Sequence, residues 1–355
     1  MIQRLLFRVL LAPFALLYGI GVSVRNWLYF RGVLKSVSFD IPVISVGNLT
    51  MGGAGKTPHL EYLIRLLKDY IEVATLSRGY MRKTRGFRVV DPSDTVEKVG
   101  DEPLQFKRKF RDVLVTVSES RMFGVPQILS LKPDTQVVLL DDAFQHLAVR
   151  PGLNILLTEF NRPYTRDFLL PSGRLREWPG ASERADVIVV TKCPDGLTHD
   201  QAEQMRLELA PLNRQKLFFS RYQYAQPYYL FDRRYTLDLG PGWSAVVMCA
   251  IANTAYLQGY LEGVTDAVRM MQFADHHAFT PEDLSALRRT WEGMDSQHKC
   301  ILTTEKDATR LEAHRDFILE HRLPIFVLPV EVAFLFGGGE AFDEHIRQFL
   351  LDFKV

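Results

Sequence analysis

The sequence predicts an α/β protein: a P-loop NTPase-like, mostly parallel sheet covered on both faces, with a smaller α/β domain after it and a membrane-associated helix before it. Three observations lead there. Between residues 41 and 192 apolar, β-branched runs alternate with helical or loop segments, as in strands buried on both faces. A glycine-rich loop, "NLTMGGAGKTPH" at 48–59, sits between the first of those runs and a helical pattern. Past residue 240 a second set of apolar runs repeats the alternation.

The first element is a basic, hydrophobic N-terminus. Residues 1–39 carry Arg4, Arg8, Arg25, Arg31 and Lys35 and no acid. Between Val9 and Val24 lies the uncharged stretch "VLLAPFALLYGIGVSV". A full membrane span needs about 20 apolar residues, so this one is short. Pro13, Gly19 and Gly21 weaken it as a plain helix. Tyr18, Trp27 and Tyr29 are amphipathic aromatics of the kind enriched at bilayer interfaces. Three readings stand: a signal-peptide core, though without a clear small-x-small cleavage site; a buried core helix; and a helix at the inner face of a membrane. The nucleotide loop so soon afterwards argues for a cytoplasmic body, peripheral or held by a single span.

The next run, "IPVISVGN" (41–48), reads as a buried strand, and after the glycine loop "HLEYLIRLLKDYI" (59–71) spaces its apolar residues as a helix does. Further strands are expected at "VATLSRGY" (73–80), "VLVTV" (113–117), "QVVLLDD" (136–142), "LNILLTE" (153–159) and "DVIVVTK" (186–192). The aromatic, alternating "KLFFSRYQYAQPYYLFD" (216–232) suggests an antiparallel ribbon over 214–240, linking two domains. Beyond it "SAVVMCAIAN" (244–253), "KCILTTEKD" (299–307) and "PIFVLPVEV" (324–332) supply the second set of strands. The expected division is 1–39, a membrane-associated helix; 40–213, a P-loop domain; 214–240, the ribbon; and 241–355, the smaller domain.

Composition narrows the function. With 355 residues and 47% hydrophobic content, sizeable cores are available. A net charge of +1 provides no basic field for nucleic acid, and no nucleic-acid partner is expected. Cys193, Cys249 and Cys300 form neither a metal pair nor a disulfide framework, which suits a reducing compartment. No protein partner is evident.

The chemistry concentrates in the loops. The standard phosphate loop reads G-x-x-x-x-G-K-[ST]; here Gly55, Lys56 and Thr57 fit its end, but Thr50 stands where the first glycine belongs. Backbone N–H groups of Thr50, Gly52, Gly53, Ala54 and Gly55 would wrap phosphate oxygens, Lys56 would reach the terminal phosphates, and Thr57 would ligate magnesium. In "VVLLDDAFQH" an apolar strand delivers Asp141 and Asp142 to its C-terminal end, as a magnesium-nucleotide site requires. "VGDEP" (99–103) places Asp101 and Glu102 in a turn, with Pro103 holding Glu102 extended. "ADHHAF" (274–279) contributes His276 and His277; adjacent histidines face apart, so one histidine working with an acid suits proton transfer better than a joint metal site. "TTEKDATR" (303–310) sets polar groups just past a strand. Arg78, Arg121, Arg174 and Arg176 stand near loop ends where arginines clamp phosphates.

Taken in order, "SVGNLTMGGAGKTP", "LSRGY", "VGDEP", "VVLLDDAFQH", "LLPSGRLRE", "AIAN", "FADHHAF" and "TTEKDA" resemble one family, the tetraacyldisaccharide 4'-kinases of lipid A biosynthesis. The match runs over nearly the whole chain. The resemblance implies that Thr50 belongs to a glycine-shifted loop. It implies transfer of the ATP γ-phosphate to the 4'-hydroxyl of a membrane-held, acylated glucosamine disaccharide 1-phosphate, giving lipid IVA. ATP and Mg2+ are the implied cofactors, and the cytoplasmic face of the inner membrane the implied location. Carried over, Lys56 and Thr57 hold phosphates and magnesium, Asp141 and Asp142 serve the metal, and Asp101 is the base, tuned by His276. Arg121 and Arg176 hold substrate or transferred phosphate, and Glu102 contacts metal or substrate; "SESR" before Met122 departs from the family's acidic-Arg form. Two alternatives belong to other classes. A P-loop NTPase switch of the metal-insertion or targeting type would hydrolyse nucleotide; "VVTKCPD" (189–195) is similar to its N-K-x-D motif, with Thr191 for the asparagine and Asp195 one place late. A membrane-anchored nucleotide-binding scaffold would do no chemistry at all.

Overall fold

In the computed structural model the described residues are 2–354, with side chains from residue 10 onward, so Met1, Val355 and the side chains of Arg4 and Arg8 lie outside them. The Val/Ile/Leu runs form strands buried on both faces, and they assemble into a nine-stranded sheet. Its order is Val330–Phe334, Lys216–Tyr224, Val187–Thr191, Leu153–Glu159, Val43–Asn48, Val137–Asp141, Val73–Ser77, Leu114–Val117 and Arg88–Val89. The two edge strands are antiparallel to their neighbours and the rest run parallel. Strand Val43–Asn48 therefore lies between the strand ending in Asp141 and the strand ending in Glu159. All three deliver their loops to one edge, where ligands bind in open parallel sheets.

One face of this sheet packs Leu60, Leu63 and Ile64 of the helix Lys56–Leu67, Leu104 and Phe106 of Asp101–Lys109, and Phe342 and Ile346 of Gly338–Asp352. A second sheet, of six strands, runs Asp232–Thr236, Tyr228–Tyr229, Ile325–Leu328, His298–Thr304, Trp243–Cys249, Ala267–Gln272, and its last four strands are parallel.

Several expectations change. The aromatic segment expected as one ribbon divides: Lys216–Tyr224 joins the large sheet in parallel, and Tyr228–Tyr229 with Asp232–Thr236 join the small one. After Ile325–Leu328 in the small sheet, the chain returns to the large sheet at Val330–Phe334 and ends in the helix packed on it. Alternation marks a strand but not which sheet edge it will pair with. "GDEP" opens the helix Asp101–Lys109 rather than a turn, so Glu102 is helical; Pro103 lies in the first turn, where no backbone N–H is required of it. "TTEKD" is likewise half strand, half helix: Thr304 Oγ1 accepts the Asp307 N–H at 3.1 Å and starts the helix Glu305–Leu311.

The N-terminal segment is one continuous helix, Ile2–Phe30, with Pro13 inside it. Gly19 serves packing here: a Cβ on it would lie 2.6 Å from the Trp178 ring. No helix of the described residues is long and apolar enough to cross a membrane.

Candidate active site

The glycine loop leaves the buried strand Val43–Asn48 and enters the helix at Lys56. Gly55, the residue before it, has φ 90°, a left-handed conformation that suits glycine. The loop is held from below. His59 Nδ1 bonds the Gly55 carbonyl at 2.7 Å, and its Nε2 meets Ser220 Oγ at 3.0 Å. Thr191 Oγ1 donates to the Ala54 carbonyl at 2.9 Å. Burial pushes the His59 imidazole down to about 4, so Nδ1–H donates and Nε2 accepts from Ser220.

Asn48, the last residue of the strand, organises the charges beside the loop. Its Oδ1 accepts Lys56 Nζ at 3.1 Å and an Arg176 guanidinium N–H at 2.6 Å. Arg176 also grips both oxygens of Asp142, at 2.8 and 3.1 Å, and Lys56 Nζ stands 3.6 Å from Asp142. Burial acts to raise the Asp142 carboxyl, but Lys56 and Arg176 outweigh it and hold it well below the usual carboxylate range. Asp141 is the opposite case. Burial first, then the Glu102 and Asp142 carboxylates, push its carboxyl up, against Lys56 and Arg121. Asp141 Oδ1 is buried with no hydrogen-bond partner, while its backbone carbonyl accepts Arg121 at 2.8 Å.

A second cluster forms around Asp101. His276 Nδ1 donates to Asp101 Oδ2 at 2.9 Å, and Arg310 donates to the same oxygen at 2.7 Å. Lys306 Nζ lies 3.2 Å from His276 Nε2, 3.8 Å from Asp101 and 3.8 Å from Glu102. An ammonium donor at Nε2 suits the imidazole tautomer that carries its proton on Nδ1. Burial works to raise the Asp101 carboxyl, but the His276 hydrogen bond and the charges of Lys306 and Arg310 hold it far below its usual value. Among the described residues, Asp101 Oδ1 accepts only the Glu102 N–H, at 2.9 Å. His276 itself has φ 62°, a strained backbone for a non-glycine residue. His277 faces away and bonds Asp283, at 2.8 Å, in the cap of the next helix.

The two clusters approach each other through Glu102, whose charge is felt at Asp141. The structure thus brings together Lys56, Asp141, Asp142 and Arg176 on one side and Asp101, Glu102 and His276 on the other. Arg121 is buried and holds the back of Asp141, and Arg78 is exposed at the mouth of its loop. Thr50 pairs with Leu175, and Met51 N–H donates to the Arg174 carbonyl at 2.7 Å, so "SGRLRE" is strapped along the glycine loop. Sequence reading missed Asn48, His59, Lys306 and Arg310 as site residues. Asn48 had a usable signal, a carboxamide ending an otherwise apolar strand; Lys306 and Arg310 lay in the polar segment past a strand. Among the described residues no group of three or more His, Cys, Asp or Glu side chains is placed to hold a metal. The residues of the N-K-x-D-like segment are engaged internally: Lys192 pairs with Glu159 at 2.7 Å and Asp195 with Arg221 at 2.7 Å.

Known proteins carry the same arrangement of sequence and fold. The family model described as tetraacyldisaccharide-1-P 4'-kinase matches residues 7–351. A tetraacyldisaccharide 4'-kinase of Parabacteroides distasonis is 43% identical over 348 residues, covering 96% of this chain and 94% of its own. One of Flavobacterium johnsoniae is 42% identical over 345 residues, covering 97% and 98%. Among solved structures, an apo-form LpxK of Aquifex aeolicus in complex with ATP superposes with a TM-score of 0.72 at 28% identity, covering 97% of this chain and 99% of that one. The chain belongs to the tetraacyldisaccharide-1-P 4'-kinase family.

Proposed function

We propose that this chain transfers the γ-phosphate of ATP to the 4'-hydroxyl of a tetraacyl glucosamine disaccharide 1-phosphate, giving lipid IVA. The observation that carries the reading is the Asp101–His276 pair beside a glycine loop whose lysine is already positioned by Asn48. A sugar hydroxyl is a poor nucleophile at neutral pH and gains from a positioned acceptor for its proton. Asp101 is that acceptor. Oδ2 is taken by His276 and Arg310, so Oδ1, with one N–H partner, has capacity left for the hydroxyl. A carboxylate held this far down is a weak base. Its work is mainly orientation, with the proton arriving late as charge moves to the transferred group.

Lys56 and Arg176 supply positive charge to the phosphates. A bound magnesium would offset negative charge on the phosphates. Asp141, with its buried unpartnered oxygen, and the Thr57 hydroxyl fit it; Asp142 is occupied in holding Lys56 and Arg176. Glu102 stands by Lys306 at the acceptor side. Arg78 and Arg121 contribute field at the same edge.

The lipid reading is supported by the N-terminal helix. Leu10, Leu17, Ile20 and Val24 are exposed on it, a face suited to lying in a membrane interface. Its opposite side is fastened to the body: Tyr18 donates to the Arg176 carbonyl at 2.9 Å, and Arg25 pairs with buried Glu177 at 2.7 Å. A cavity of about 640 Å³ beside it is lined by Trp27, Phe30, Phe144, Arg150, Arg184 and Asp186, a mixed apolar and charged wall for an acylated phosphosugar. The reading includes peripheral association with the cytoplasmic face of the inner membrane. Incubation with γ-labelled ATP and the disaccharide precursor, followed by lipid extraction, tests the whole: label in the lipid phase is expected. ATP hydrolysis indifferent to the lipid would point instead to an NTPase.

A further inference from the structure

Three helices carry the parts of the site, and one buried side chain ties them together. Lys56 and Thr57 open the helix Lys56–Leu67, Asp101 opens Asp101–Lys109, and Lys306 and Arg310 lie on Glu305–Leu311. Lys109, at the far end of the second helix, places its Nζ 2.6 Å from Glu61 of the first. The same Nζ lies 2.7 and 2.9 Å from the two oxygens of Glu305 on the third. Glu61 Oε1 accepts Gln105 Nε2 at 2.8 Å. The side chains are almost closed off from solvent: Glu61 is 1% exposed, Glu305 5% and Lys109 12%.

Two carboxylates sharing one ammonium, with Arg65 3.7 Å from Glu61, is an expensive arrangement to bury, and well-packed apolar residues are often as stable in its place. Burial, then the Glu305 charge, push the Glu61 carboxyl up, against the Lys109 ammonium and the Gln105 amide. What charge adds is geometry. Apolar side chains slide over one another; three hydrogen-bonded ions fix the relative placement of the helices that bear them.

We propose that Lys109 is a positioning residue for phosphoryl transfer: clamped between Glu61 and Glu305, it sets the Lys56 end of one helix against the Asp101 end of another. It rests on the kinase reading above. It touches neither ATP nor lipid, and acts through the helices alone. A misplacement of about 1 Å far from the chemistry costs up to about 10²-fold in rate, which bounds the effect.

The test uses the full chain in detergent micelles with ATP and the disaccharide acceptor, comparing wild type, Lys109→Met, and the neutral triple variant Glu61→Gln/Lys109→Met/Glu305→Gln. Wild type must first label the acceptor; failure there rejects the kinase reading itself. With that established, both variants are expected to lose about 10–100-fold in kcat, with KM for ATP changed by less than about threefold. The triple variant, in which Arg65 loses Glu61 but keeps Glu331 at 3.8 Å, is expected to keep the wild-type melting temperature. A folded triple variant with wild-type kcat overturns the proposal. So does a triple variant that fails to fold, since the cluster would then serve stability.

Discussion

His276 donates its Nδ1–H to Asp101 Oδ2 at 2.9 Å although 175 residues separate the two. Asp101 starts a helix packed on the large sheet, and His276 lies in the loop after a strand of the small one. If they act as a unit, Asp101→Ala and His276→Ala each lower kcat by about 10²–10⁴. The double variant is then little worse than the poorer single, because coupled catalytic residues are non-additive. ATP binding survives in all three. Measuring kcat and melting temperature decides: strictly additive losses that track reduced stability would sink the pair.

Lys56→Ala is expected to abolish turnover with the fold intact. Its amine is held by Asn48 Oδ1 and lies near Asp142, which keeps Arg176 as a partner when the lysine is gone. A variant retaining more than about a tenth of wild-type turnover would contradict the assignment of the loop.

Acid sensitivity is expected from His59. Its folded value is depressed to about 4 from 6.5, with burial the main cause. Between those limits the unfolded chain binds a proton that the folded chain refuses. Stability is therefore full above pH 6.5 and falls as pH drops toward 4, by about 3 kcal/mol. His59→Asn removes that term. Urea unfolding of both proteins at pH 7.5 and 4.5 checks it, and an equal acid loss in the two would assign the effect elsewhere.

Deleting residues 1–30 is expected to release the protein from vesicles and raise KM for the lipid acceptor. The exposed apolar face motivates the first effect. The deletion also removes the Tyr18 bond to the Arg176 carbonyl and the Arg25–Glu177 pair, so kcat falls even in detergent. Tyr18→Phe separates the two, keeping membrane binding while lowering kcat a few-fold, as loss of one neutral hydrogen bond allows. A truncated protein that still pellets with vesicles would indicate a second contact surface.

The sequence by itself determined the parallel sheet, the glycine loop between strand and helix, and the acidic strand end. These are local: a run of Val, Ile and Leu buries itself wherever it pairs, and a loop rich in glycine bends wherever it sits. The Asp101–His276 pairing was implied by the resemblance of the motifs to the family, since no local pattern joins two residues so far apart in the chain. What the tertiary structure alone decided was partnership at a distance. It split the aromatic segment at 216–236 between two sheets and returned the C-terminus to the first, since period-2 alternation is blind to the neighbouring strand. It turned "GDEP" into a helix start, because Pro103 falls where helices tolerate it. And it gathered Asn48, Arg310, Lys306 and Lys109 into the site and its supports: each is an ordinary polar residue in sequence, and its meaning comes from the charge that folding sets within about 3 Å of it.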